Sequence, residues 1–479
     1  MKSPFSPPLH ALRSRFPVWR NRLGLLLAGG RWTAQLPASL RRSLRWLVVD
    51  GLLANISDPI LGTYQSVYLL ALGATRAEIG LLSSLSSLSM PVAMVPAGRA
   101  AARSEQYKGL IVISALLGRL FLLGLILLPF LYPPRLVIFL GIGFAVLRMF
   151  LLQFLTPAWT AMIADLVPAQ WRGRYFSTRN ILTGAVSFLT LLFVGFLIDR
   201  FSEPITGYQV AFAFAMVAGL ASSYAFWRIE EPAPRRAPEQ ERERERTGLW
   251  ARLRTDSPFL VLCGISTFWS FVVNISSPFF FVFLADEIGA SAATLGLASA
   301  VSTLAAIPAQ RLFGSLADRK GAAWVRLLTG CIIPLTPALW TFMRQPWHSF
   351  PLQVIGGFAW AGYNLAAFNL LLEMTPEEGR PSFVAFFQAI TGLGMAAGAA
   401  FGGVLADGLG YRPAFLISAG GRLLATLIFA WSLFHGRTGA TRRALQLPGL
   451  SKLRFRKQAK KECAVDEVGD GTESVSRED

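Results

Sequence analysis

The chain has 479 residues, of which 53% are hydrophobic and only 15% charged, with 36 Phe and 13 Trp. Soluble domains carry roughly a quarter charged residues, so this balance excludes an ordinary soluble protein. The formal net charge of +18 is spread over loops and tails, which excludes a continuous basic stripe for nucleic acid.

Residues 1–45 hold nine basic residues and no acidic one. They read as a basic cytoplasmic arm able to touch anionic headgroups. The short apolar run at 23–30 leads into Arg31 and Trp32 rather than a small-residue cleavage site, so no signal peptide is expected. A hydrocarbon core about 30 Å thick takes roughly 20 apolar residues per helix. Twelve such runs follow, at 46–71, 79–97, 110–131, 136–157, 178–198, 208–228, 258–284, 293–312, 324–342, 350–372, 383–405 and 413–434. Pro59, Pro91, Pro96, Pro278, Pro308 and Pro334 punctuate them, as membrane helices tolerate. The expected fold is an all-α membrane protein with 12 transmembrane helices in two pseudo-symmetric six-helix bundles, 46–228 and 258–435. Residues 229–257, with Glu241-Arg-Glu-Arg-Glu-Arg246, form a charged cytoplasmic linker, and 436–479 a polar cytoplasmic tail.

The loops set the expected orientation. Arg99, Arg103 and Lys108, then Arg172, Arg174 and Arg179, then Arg319, Lys320 and Arg326 fall on one side. The other side carries sparse or balanced charge, so both termini are expected in the cytoplasm of a multi-pass cell-membrane protein.

The chain repeats itself. Gly73, Ala74, Gly80, Gly98 and Arg103 match Gly289, Ala290, Gly296, Gly314 and Arg319 at an offset of 216. At an offset of 208, Pro168, Arg172, Gly184, Gly195 and Asp199 match Pro376, Arg380, Gly392, Gly403 and Asp407. Asn55-Ile-Ser-Asp-Pro59 is matched by Asn274-Ile-Ser-Ser-Pro278. A membrane chain written twice points to a two-bundle transporter.

Gly314-Ser-Leu-Ala-Asp-Arg-Lys-Gly321 resembles the cytoplasmic signature loop of the major facilitator superfamily, and the likeness spans about 46–434. Ala164-Asp-Leu-Val-Pro168 with Trp171-Arg-Gly-Arg-Tyr175 looks like a bacterial branch to which no substrate attaches. The first-half copy reads Gly98-Arg-Ala-Ala-Ala-Arg103, so the signature aspartate survives only as Asp318. The fifth helix lacks the Gly-Pro pair of the family's antiporters. Arg148 stands where many members carry an arginine in helix four, although the surrounding motif is only half met. The resemblance implies alternating access, with helices one, four, seven and ten around a central cavity and helices two and eleven meeting between halves. Gly394, Gly398 and Gly402, spaced by four on the eleventh helix, and the serines Ser83 to Ser89 on the second fit close approach there.

An ionised side chain near mid-membrane costs from about 2.5 kcal/mol upward, so such residues usually face a bundle interior or water. Asp58, Arg119, Arg148 and Arg422 each lie near the midpoint of a run, with Asp50 two turns nearer the cytoplasm. Positions seven apart share a helix face to within about 20°, which groups Asp58 with Gln65. Ser266, Ser270, Asn274 and Ser277 cluster likewise, as do Gln353, Trp360, Tyr363 and Asn364. The candidate solute- and proton-binding residues are therefore Asp58, Gln65, Arg148, Asn274, Gln353, Trp360, Tyr363 and Asn364. Asp58 with Arg148 reads either as solute or proton handling or as a structural lock of the first bundle; Arg119 and Arg422 read as structural. The candidate gating residues are Arg103, Asp165, Arg172, Gly314, Asp318, Arg319, Glu373 and Arg380, whose carboxylate–guanidinium contacts either form in one state and break in the other or are permanent surface pairs.

No phosphate-binding Gly-x-x-x-x-Gly-Lys loop, no metal-ligand spacing and no buried histidine relay stands in the chain. Cys263, Cys331 and Cys463 are isolated. The expectation is a monomeric carrier without cofactor or enzymatic step, moving a small anionic or polyhydroxyl solute, with H+ as a candidate coupling ion through Asp58. The other expectation is a non-transporting receptor or assembly factor that keeps the fold.

Overall fold

The computed structural model describes residues 30–103, 106–168, 171–231, 257–375 and 380–435. Most of the expected arm (1–29), linker (232–256) and tail (436–479) lies outside them. The first half contains α1 (Ala38–Ala71), α2 (Arg76–Arg103), α3 (Tyr107–Leu131), α4 (Pro134–Phe154, continued by Thr156–Leu166), α5 (Arg172–Ile198) and α6 (Pro204–Trp227). The second contains α7 (Ser257–Ser276, continued to Asp286), α8 (Ala292–Lys320), α9 (Ala322–Ile332, continued by Leu335–Trp340), α10 (Ser349–Met374), α11 (Arg380–Leu409) and α12 (Tyr411–His435). Eleven of these are long and apolar enough to cross a membrane. The remaining one, α1, is the more polar 34-residue helix that carries Asp50 and Asp58; at 1.5 Å per residue it is about 50 Å long.

Local chemistry explains the interruptions. A 3-10 turn at Ser277–Phe279 breaks α7 where Pro278 supplies no backbone donor. α9 is broken before Leu335, with Pro334 at the N-cap of its second part. Gly73 and Gly289, matched in the repeat, both take positive φ (91° and 71°) in the turns after α1 and α7.

The expected boundaries shift at two places. α1 begins at Ala38, eight residues inside the expected arm, because the run of Leu and Ser between its arginines continues the helix. The signature segment Gly314–Lys320 is the last two turns of α8 rather than a loop, and Gly321, at φ 90°, ends it.

Within the first half, α1 packs on α5 and α6, and α3 on α4 and α6. Within the second, α7 packs on α11 and α12, and α10 on α8 and α9. Two extensive contacts cross between halves, α2 on α11 and α5 on α8. The glycine stripe does not make the first of them. A Cβ at Gly394 would stand 2.6 Å from the Thr267 carbonyl oxygen, and those at Gly398 and Gly402 would overlap the Phe271 and Ile275 carbonyls of α7. The stripe therefore docks α11 within its own half, correcting the expectation that it serves the moving interface.

One large apolar cluster joins both halves at the end opposite the basic loops, with Tyr64, Leu191 and Val194 meeting Phe279, Phe283 and Leu295. Towards the basic loops the clusters are separate, one around Leu44, Leu47 and Tyr175 in the first half and one around Phe259, Leu371 and Phe383 in the second.

Candidate functional site

The halves close on each other at the end far from the basic loops. The carboxylate of Asp199, at the C-cap of α5, accepts from the backbone N–H groups of Ala292 and Ala293, both at 2.9 Å, in the first turn of α8. An anion at a helix N-terminus meets unsatisfied donors and the positive end of the dipole. Tyr64 Oη donates to the Ala292 carbonyl at 3.0 Å, and Thr63 Oγ1 to Ser299 Oγ at 3.2 Å. Arg76 donates to the Ala406 carbonyl at 3.2 Å, pairs with Asp286 at 3.3 Å and lies over the Tyr411 ring.

The repeat is visible in this closure. A Cβ at Gly80 of α2 would stand 2.8 Å from the Ala399 carbonyl oxygen of α11, and one at its partner Gly296 of α8 would overlap the Leu191 carbonyl of α5. Leu191 and Ala399 are themselves related by the 208 offset. Glycine lets the backbones approach at both places.

Below the closure lies a cavity of about 600 Å³, lined by α1 (Asn55, Pro59, Gly62, Thr63), α5 (Asn180, Thr183, Ser187 and neighbours), Phe281 of α7 and α8 (Ser299, Thr303, Gln310, Arg311). A chamber of about 550 Å³ shares Thr303, Ala306 and Gln310 with it and reaches Trp360 and Asn364 on α10. Asn55 Nδ2 donates to Gly51 O at 2.8 Å, and Ser187 Oγ to Asn55 Oδ1 at 3.2 Å, which ties α5 to α1 beneath the cavity surface.

Asp58 Oδ1 accepts from Arg148 Nη2 at 2.8 Å, joining α1 to α4. The two ends are unlike: the Arg148 side chain is 5% exposed and that of Asp58 54%. Asp58 stands one turn from Asn55 and Gly62 of the cavity wall. Of the other expected binding residues, Trp360 and Asn364 line the second chamber. Tyr363 is buried and stacks on Trp269, centroids 4.6 Å apart. Asn274 is buried and donates to Ser270 O at 2.9 Å, one turn back on its own helix. Gln65 and Gln353 are half-buried on α1 and α10. Among the described residues α4 supplies none to the two chambers, whereas α5 and α8, outside the expected four helices, supply most of the wall.

Asp50, Arg119, Arg326 and Arg422 are held in buried contacts away from the two chambers. Arg119 donates to Ser222 Oγ at 3.0 Å and to Ser223 Oγ, and Ser222 Oγ donates to Asp50 Oδ1 at 2.6 Å, so α1, α3 and α6 share one buried network. Arg422, 1% exposed, donates to Ser418 Oγ, Val273 O and Ser276 Oγ and joins α12 to α7. Arg326 donates to Ser266 Oγ at 3.0 Å and lies over the Phe429 ring.

Among the expected gating residues, Asp165, Asp318, Arg319 and Glu373 are exposed at the basic-loop end, and Gly314 is half-buried in α8. Arg172 Nε donates to Val167 O at 3.1 Å, within its own loop. The side chains of Arg103 and Arg380 lie outside the described residues. The cavity amides Asn180 and Gln310 escaped the sequence reading, although Ser177, Asn180, Gly184 and Ser187 form a polar stripe at helical spacing.

The MFS_1 like family matches residues 58–417. No curated protein sequence matches. Among solved structures, the chain is similar to a D-xylose-proton symporter at 14% identity and TM-score 0.63, covering 86% of this chain and 97% of that one. It is similar to a bacterial homologue of the human lysosomal transporter Spinster, inward-facing and unoccupied, at 15% identity and TM-score 0.63, covering 85% and 98%. It is also similar to an inward-facing bacterial homologue of the iron transporter ferroportin, at 13% identity and TM-score 0.66, covering 82% and 99%. At these identities the likeness is one of fold.

Proposed function

The chain belongs to the MFS_1 like family, whose match covers residues 58–417, and from that premise we propose that it is a carrier moving a small solute across a cell membrane by alternating access. The observation that carries the proposal is a polar cavity of about 600 Å³ lined by helices of both halves and roofed by contacts between them. A solute bound there touches both bundles, so its binding energy acts on their relative position. With the basic loops in the cytoplasm, this structure is the inward-open state, and both termini lie inside. Asp58, held by Arg148 and half exposed, is the proposed proton site, and the basic-loop residues the inner gate of the other state. The protein works as a monomer in this reading and performs no catalytic step.

The test uses the full chain in liposomes, with a single cysteine at Ala306 in an otherwise cysteine-free background and a membrane-impermeant maleimide. A carrier is labelled from the basic-loop side in this state and from the opposite side in the other, so both additions should modify Cys at that position. Labelling from one side only, under every condition, contradicts alternating access and supports a fixed receptor or assembly factor.

A further inference from the structure

On the carrier reading, we propose that the cavity takes an uncharged solute bearing several hydroxyl or amide groups, gripped by Asn180 of α5, Gln310 of α8 and Asn364 of α10. These three carboxamides are exposed on the chamber walls and hold no hydrogen bond to another described residue. They come from three helices and from both halves. Several other polar groups of the wall are already engaged: Asn55 with Gly51, Ser187 with Asn55, Thr63 with Ser299, and Thr303 with the Ser299 carbonyl.

The chemistry of the free groups selects the solute. A carboxamide both donates and accepts, as a hydroxyl does, so each can meet a hydroxyl or amide in either sense. Charge is scarce: among the described residues lining the two chambers, Arg311 is the only ionisable one. A cation taken from water finds no carboxylate on those walls, and desolvating a charge without a partner is costly. An anion gains little from Arg148, whose guanidinium is buried behind the Asp58 carboxylate, and meets a single cation, Arg311, on the wall itself. Three amides against one cation on the walls favour the polyhydroxyl alternative of the sequence over the anionic one. Trp360, half-buried beside Ala361 and Ala306, offers an apolar wall for the C–H face of a ring. Chambers of about 600 and 550 Å³ lie within the roughly 300–1,000 Å³ range of small-molecule sites.

The experiment is uptake and counterflow with the full chain in liposomes. Its probes are radiolabelled uncharged pentoses, hexoses and nucleosides, compared with monocarboxylates and quaternary amines of similar size. At least one uncharged probe should be carried, with charged probes at least about tenfold slower. Asn180→Leu, Gln310→Leu and Asn364→Leu should each raise the half-saturation concentration about fivefold, the weight of one neutral hydrogen bond. Where a leucine variant misfolds, the near-isosteric Gln310→Glu removes the amide donor and should do the same. Transport of charged probes or of a fluorescent phospholipid, with no uncharged probe moving, overturns the solute class and leaves the carrier standing. No uptake of any probe also overturns it; the carrier reading falls too only if the maleimide reaches position 306 from one side alone.

Discussion

Asp58 and Arg148 form one ion pair with unequal surroundings, and the inequality has a measurable consequence. Removing Asp58 leaves a guanidinium 5% exposed with no counter-charge, whereas removing Arg148 leaves a carboxylate that is 54% exposed. Breaking a buried pair from the costly side takes about 3–5 kcal/mol, while exposed pairs are worth under about 1. Asp58→Ala should therefore lower stability in a detergent unfolding titration by about 3 kcal/mol and Arg148→Leu by about 1, with the double variant near the single Arg148→Leu. Equal losses would mean that Asp58 is not what holds Arg148. These charges were legible from the sequence because a charge in an apolar run is costly wherever it points. Their partners were not: Ser222 and Ser223 look like ordinary small residues of α6 until α3 brings Arg119 onto them. Asn180 and Gln310 were missed for the related reason that a single amide near a helix end also suits a solvated surface.

At the scale of elements, glycine divides into contact and vacancy. Gly398 faces the Phe271 carbonyl so closely that a methyl group would overlap it, while nothing lies within 4 Å of a Cβ at Gly62. Overpacking of this kind costs about 1–3 kcal/mol or more. Gly398→Ala should thus lower the unfolding midpoint clearly, and Gly62→Ala should leave it within error, as differential scanning fluorimetry in detergent would register. Loss of stability from both would show that the spacing-by-four stripe has no special role. The glycine spacing itself was readable, but not the helix it faces, because a close approach to α7 within the half and one to α2 across it need the same residues. The signature segment shows the same limit from the other side: the resemblance implies a loop at Gly314–Gly321, yet the backbone of Gly314–Lys320 completes α8. The succession of the eleven apolar spanning helices, by contrast, followed from apolar length alone, since bilayer thickness sets it.

At the scale of the molecule, the repeat in the sequence becomes the symmetry of the closure: Gly80 on Ala399 and Gly296 on Leu191 are one contact made twice. Its polar reinforcement is not symmetric. Asp199 binds the N-terminus of α8, while around the start of α2 it is Arg76 that reaches Ala406, Asp286 and Tyr411. Which end is closed could not be read beforehand, because the sequence pattern is compatible with closure at either end. The central claim is that the halves alternate and that Asp199 favours the closed outer end. The measurement that tests it most directly is electron–electron distance spectroscopy in liposomes between spin labels at Ser202 and Gln345, exposed positions of opposite halves at that end. Charge-assisted hydrogen bonds contribute about 1.5–3 kcal/mol, so Asp199→Ala should shift the balance towards the longer distance by about tenfold or more. The predicted result is two distance populations, the short one dominant in the wild type and depleted in Asp199→Ala; a single distance, unchanged by the substitution, would contradict the account.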